Sequence, residues 1–378
     1  MQKESIISAD GHIDLNWLPV DIFENYSDRA MRDRMPKVVE TKQGKRWMVG
    51  STVLSAVGGL GTGDARTIEY TEREKKMRAM GLYDDAERGV FRPTQVAGRL
   101  KDLEHDGIDA EVIYGILGAG ERIVDVEVRT AVFQAYNRWL ADWCKQAPER
   151  FIGLAEIPNH DPEIAAATLK EAANMGLRGA DFPADRLDIP LWHPSWDPVW
   201  ATAQDCGIPI SFHTTGSKPP EVKPEYVKAY PLLAHTTRSV SFQLVAAEVL
   251  SNALYSGMFH RFPKLTFVMG ESGVGWMPYV LERLDESWED RYAALIPELP
   301  SFYWHRQGHT TFQHEGVAFR LIDYIGEDNV MWGADYPHMD GAWPESQATI
   351  QRYLGGLEPR IRRKLIHDTA ARLYNVKN

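Results

Sequence analysis

Asp10-Gly11-His12 follows a short apolar stretch, Ile6-Ile7-Ser8-Ala9, and sets a carboxylate and an imidazole two residues apart. In extended backbone, residues two apart face the same way, so both side chains can reach one ion at a strand's end. The triplet alone carries little, because Asp-Gly-His also occurs in surface turns. Two further candidates share its context: His213 ends the run Ile208-Pro-Ile-Ser-Phe-His213, and Asp335 ends Val330-Met-Trp-Gly-Ala-Asp335. A mixed histidine and carboxylate set suits zinc, manganese or iron better than a thiolate site would. Such an ion lowers the pKa of a bound water or grips a substrate carboxylate. Each residue also has a plainer reading. A lone histidine after a strand is commonly a hydrogen-bonded structural residue, and Asp335 before Tyr336-Pro337 can start a turn or cap a helix.

The elements that must position these residues are legible as short apolar runs at 6–9, 110–114, 151–157, 177–182, 208–213, 265–270, 309–312 and 330–334. Eight strands separated by helix-like stretches predict a closed α/β barrel of the (β/α)8 type. Apolar spacing predicts helices over 130–146, 162–174, 196–206 and 277–285, with His160-Asp161 as a cap for the second. Barrel enzymes carry their chemistry at the C-terminal ends of the strands. Asp10, His12, His213 and Asp335 would all stand there, after strands one, five and eight, which makes coincidence a poor account of them.

The remaining segments bound the partners. The chain of 378 residues is 44% hydrophobic and carries a net charge of -11, which argues against nucleic acid as a partner. No apolar run approaches the ~20 residues that span a bilayer, and Met1-Gln-Lys-Glu lacks a signal-peptide pattern. Cys144 and Cys206 give no disulfide framework, so a cytoplasmic enzyme with a small-molecule substrate is expected. We read the whole chain as one barrel domain with an insertion over about 14–107, a lid over the mouth or an interface arm. A second insertion, 214–239, holds Lys218-Pro-Pro, Pro224 and Pro231 and reads as an ordered active-site loop.

The chain resembles the amidohydrolase superfamily, specifically the amidohydrolase-2 group that includes aminocarboxymuconate-semialdehyde decarboxylase. The resemblance rests on the Asp-Gly-His start, Tyr136-Asn-Arg-Trp139, Pro148-Glu-Arg-Phe-Ile-Gly153 and Asp197-Pro-Val-Trp200 leading to His213. It continues through Phe262-Pro-Lys-Leu265, Gly270-Glu-Ser-Gly-Val-Gly-Trp276 and Trp332-Gly-Ala-Asp-Tyr-Pro-His338. It implies a distorted barrel holding one divalent metal, zinc or manganese, on Asp10, His12, His213 and Asp335, with Asp335 also moving a proton. It implies hydrolysis or non-oxidative decarboxylation of a small carboxylate- or carbonyl-bearing molecule, and a homodimer or a pairing with a related subunit. Two departures stand out: many relatives open with His-x-His or Glu-x-His, and the decarboxylases carry a histidine where this chain has Glu271. That glutamate could be a general base, a ligand, or an anchor for a metal-bound histidine. His338, three residues past Asp335, either lines the mouth as a catalytic group or bonds a backbone carbonyl. His235 and Arg238 are candidate substrate binders, the guanidinium fork matching a carboxylate. Two alternatives accompany this reading: a dinuclear iron or manganese oxygenase with a second metal, and a non-catalytic subunit paired with an active paralogue.

Overall fold

The computed structural model describes residues 4–58, 72–184, 187–213, 223–230, 233 and 241–376. Strand β1 (Ile7–Ser8) is followed by β2 (Lys37–Thr41), β3 (Gly44–Val49) and β4 (Thr52–Ala56), which form a separate antiparallel sheet. The chain then returns through β5 (Ala110–Ile113), β6 (Phe151–Glu156), β7 (Gly179–Asp181) and β8 (Ile210–His213). It ends with β9 (Phe267–Gly270), β10 (Gly308–Phe312) and β11 (Val330–Trp332). The eight-stranded sheet runs β1-β5-β6-β7-β8-β9-β10-β11, with neighbouring strands parallel throughout. Its two edges meet where the Ala9 N–H donates to the Trp332 carbonyl at 2.9 Å and the Asp335 N–H to the Asp10 carbonyl at 2.8 Å. The eight strands fall on the eight apolar runs, and the barrel class stands.

Parallel strands covered on both faces read as continuous apolar runs, which is why they were visible. Alternate residues turn inward: Ile7, Ala9, Val112, Ile152, Leu154, Val268 and Met331 form the barrel's filling, with Ala370 and Tyr374 joining it from the C-terminal helix. The other face packs on the helices in one large core. Helix Pro162–Met175 starts where expected, because Asp161 accepts from the backbone N–H groups of Glu163 and Ile164. The first long helix begins at Val126 rather than Thr130, since Asp125 caps it in the same way.

The insertion holds a three-stranded sheet of its own, not expected from its sequence. Strands β2 to β4 are only partly buried, and their apolar residues come in runs of two or three, too short to mark strands; Trp47 and Leu54 among them are buried. Arg34 ties this region to Asp125 and Glu127 at the start of the long helix. Helix Val96–Asp106 returns the chain to β5. Among the described residues, no helix is long and apolar enough to cross a membrane.

Candidate metal centre

The Asp10-Gly-His12 segment is pinned from both sides. Its His12 N–H donates to the Tyr336 carbonyl at 2.7 Å, and the Gly11 carbonyl accepts from Tyr114 N–H at 2.7 Å. This places the segment between the ends of β5 and β11, with both side chains over the mouth. Asp10 Oδ2 accepts from Thr311 Oγ1 at 3.0 Å, which leaves Oδ1 facing the centre. There it lies 3.3 Å from His12 Nε2 and 3.6 Å from His213 Nε2. On its other side His12 Nε2 is 3.3 Å from Asp335 Oδ1. Glu271 Oε2 stands 3.6 Å from His213 Nε2.

Ligand-type atoms of Asp10, His12 and His213 therefore lie within 4.8 Å of one another, as do those of His12, Asp335 and His338. The approach requires small neighbours: a Cβ at Gly333 would collide with Asp10, and one at Gly270 would meet His213 Cδ2 at 2.8 Å. Glu271 and Asp335 both hold left-handed backbone, with φ of 46° and 55°. Non-glycine residues in that region concentrate where function needs a side chain aimed off the regular path.

The electrostatics are those of a cage short of positive charge. Burial would push Asp10 up, but His12 and His213 hold it below the usual carboxylate range. Burial and His338 would lower His12, yet Asp10, Asp14 and Asp335 raise it to about 10. Glu271 is pushed well up by burial and by Asp335, Asp10 and Asp340, and burial raises Asp335 against the pull of His338 and His12. Asp10 Oδ1 and His12 Nε2 are buried and close no hydrogen bond. Buried polar atoms are costly without a partner, so this pair fits a cation that both could hold.

His338 belongs to the same cluster in a different capacity. Its Nδ1 lies 2.8 Å from Asp335 Oδ1 and its Nε2 2.9 Å from Asp14 Oδ2. Both of its nitrogens thus face carboxylate oxygens, an arrangement that suits holding a proton between them as well as ligating an ion. Asp14 was missed in the sequence; its one signal was its two-residue spacing from His12.

His235 and Arg238 lie outside the described residues, as do Lys218 and most of the second insertion. His309 is buried and faces the barrel interior, on the same side of its strand as Thr311. It sits near the start of β10, however, beside Val268 and within electrostatic reach of Arg372, away from the mouth. His260 closes a short helix at 258–261, and His305 lies in helix Pro300–Gln307.

Comparison with known proteins bears on this geometry. The amidohydrolase family model matches residues 47–376. The chain is 26% identical over 254 residues to γ-resorcylate decarboxylase of Rhizobium radiobacter, covering 63% of this chain and 76% of that protein. Its fold matches an amidohydrolase from Mycobacterium avium subsp. paratuberculosis with a TM-score of 0.76 at 18% identity, over 99% of this chain and 100% of the other. It also matches the manganese complex of 5-carboxyvanillate decarboxylase from Novosphingobium aromaticivorans, TM-score 0.66 at 19% identity, over 99% and 97% of the two chains. The chain belongs to the amidohydrolase family, in its amidohydrolase-2 group.

Proposed function

We propose that this protein is a metal-dependent enzyme that removes carbon dioxide, without oxidation, from a small unsaturated or aromatic carboxylate. The observation that carries the reading is the pairing of a cation cage with a buried acid beside it, Glu271, which burial and its carboxylate neighbours push well above the usual carboxylate range. Asp10, His12, His213 and Asp335 would hold one divalent ion, manganese or zinc, and the histidine and carboxylate donors suit either. When bound, that ion would orient the substrate carboxylate with a neighbouring oxygen and favour the oxygen's deprotonated form, which feeds electron density to the carbon that must accept a proton.

Decarboxylation consumes one proton: R–CO2⁻ and H⁺ give R–H and CO2. Glu271, raised by burial and by its carboxylate neighbours, is suited to donate that proton to carbon. Asp335 orients His338 at 2.8 Å, and His338 links onward to Asp14, so the cluster can replace the proton from the more exposed side. Hydrolysis would use the same ligands. The kinship with γ-resorcylate decarboxylase and the raised Glu271 favour the carboxylate reaction.

The test is carbon dioxide release by manganese-loaded protein from γ-resorcylate, 5-carboxyvanillate and aminocarboxymuconate semialdehyde, set against hydrolysis of aryl esters and lactones. Ester turnover without carbon dioxide release from any carboxylate would overturn the reading. We further infer a cytoplasmic setting, supported by two free cysteines. We infer a homodimer from the partly exposed sheet β2 to β4 of the insertion, to be read from the mass in solution.

A further inference from the structure

Helix Val96–Asp106 buries a row of charge where a barrel helix would ordinarily bury apolar residues. Arg99, Asp102 and Asp106 are 0%, 2% and 2% exposed, and their spacing puts them on one face. Each grips a different loop. Arg99 Nη1 donates to the carbonyl of His12 at 2.9 Å and to that of Pro93 at 3.1 Å, while Nε donates to Glu111 Oε2 at 2.8 Å. Its guanidinium lies 4.9 Å from the Tyr336 ring centre. Asp102 Oδ2 accepts from the Tyr336 hydroxyl at 2.7 Å, and the Asp102 carbonyl accepts from Trp343 Nε1 at 3.3 Å. Asp106 accepts from the Ser346 N–H at 2.9 Å.

The carbonyl that Arg99 holds belongs to His12, and the ring it covers belongs to the residue after Asp335. One guanidinium thus touches both halves of the cage from behind. Glu111 completes the brace: its carboxyl fills the space where a Cβ at Gly11 would stand, so the middle residue of Asp10-Gly-His12 must be glycine. Buried ion pairs are seldom better for stability than well-packed apolar residues of similar volume. Stability alone therefore gives little reason for an arginine and a glutamate at 0% exposure here.

We propose that Arg99 is a positioning residue for the metal ligands, and that helix Val96–Asp106 sets the spacing of His12 and Asp335 through Arg99 and Asp102. The proposal rests on the metal reading above, and it assigns the insertion's last helix a part in the chemistry although it contributes no group to the cage. Groups that orient ligands in this way commonly carry about 10- to 100-fold of metal affinity.

The test uses the full chain, stripped by chelation and titrated with Mn²⁺ alone, reading the dissociation constant and the electron paramagnetic resonance line shape of the bound ion. Arg99→Met alone would strand Glu111 as a buried charge, so the informative variant is the double Arg99→Met/Glu111→Met. It is expected to fold, by circular dichroism and thermal melt, yet to bind Mn²⁺ about 10- to 100-fold more weakly with an altered line shape. Tyr336→Phe, which removes only the hydroxyl bond to Asp102, is expected to shift both in the same direction by less. A folded double variant with wild-type affinity and line shape would overturn the proposal. If the double variant does not fold, Arg99→Lys and Tyr336→Phe decide: unchanged affinity and line shape in both overturns it, and weakening in both supports it. Failure of the wild-type protein itself to bind Mn²⁺ is a separate result, which defeats the metal reading first.

Discussion

His12 and His309 are buried in the same barrel, 4% and 7% exposed, and their surroundings drive them in opposite directions. At the mouth, the carboxylates of Asp10, Asp14 and Asp335 overcome burial and raise His12 to about 10. Near the start of β10, burial and then Arg372 lower His309 to about 4. The strands are shared; the company differs. Around the barrel's filling the inward residues are Ile7, Ala9, Ile152, Val268 and Met331, so an imidazole there is neutral packing. At the mouth acids crowd together in excess of the bases that answer them, a condition that a bound cation would relieve.

The sharpest way to break this contrast is to remove charge from the mouth without disturbing the backbone. Asp335→Asn does so, because asparagine tolerates the left-handed conformation at φ 55°. Turnover by the manganese-loaded variant is expected to fall by about 10³-fold with little change in melting temperature. Near-normal turnover would return Asp335 to a turn-forming role. Next in size is Glu271→Gln, which keeps shape and hydrogen bonding but cannot deliver a proton. A loss of about 10²-fold in kcat with KM nearly unchanged is expected. Equal losses in binding and turnover would instead mark Glu271 as a ligand.

The barrel and the three ligand-bearing strand ends were legible because their signals are local: apolar runs of strand length, with acids and histidines at their ends. Glu271 was legible as a departure from the family pattern. The insertion sheet was not, since β2 to β4 are only partly buried and their apolar residues come in runs of two or three, too short to mark strands. Nor were Arg99 and Glu111, twelve residues apart and meeting across a helix and a strand. An arginine in an amphipathic helix reads as solvated, and only the fold shows it at 0% exposure with its fork on the His12 carbonyl. Local pattern reveals which residues bear the chemistry, whereas the groups that hold them in place come from distant sequence.

Two pH experiments on metal-free protein sharpen the contrast further. A proton on His12 must leave before the ion binds, so Mn²⁺ affinity is expected to rise about tenfold per pH unit between pH 6 and 8. An affinity flat above pH 7 would mean an ordinary imidazole. For folding, His12 gains stability from its raised pKa; that contribution is full below about 6.5 and is lost as pH rises through about 10. His309 has the opposite sign. Its folded pKa lies below the unfolded value of 6.5, so between 6.5 and about 4 the unfolded chain binds the extra proton and stability falls as pH falls. The slope is at most about 1.4 kcal/mol per pH unit, one proton's worth, and it leaves turnover at neutral pH untouched. Urea unfolding of wild type and His309→Gln at pH 7, 5.5 and 4.5 isolates it: the difference between the two proteins should shift in favour of the variant as the solution is acidified. A difference that does not change with pH would place His309 in contact with water or an acid, and the division between a charged mouth and a dry interior would fail there.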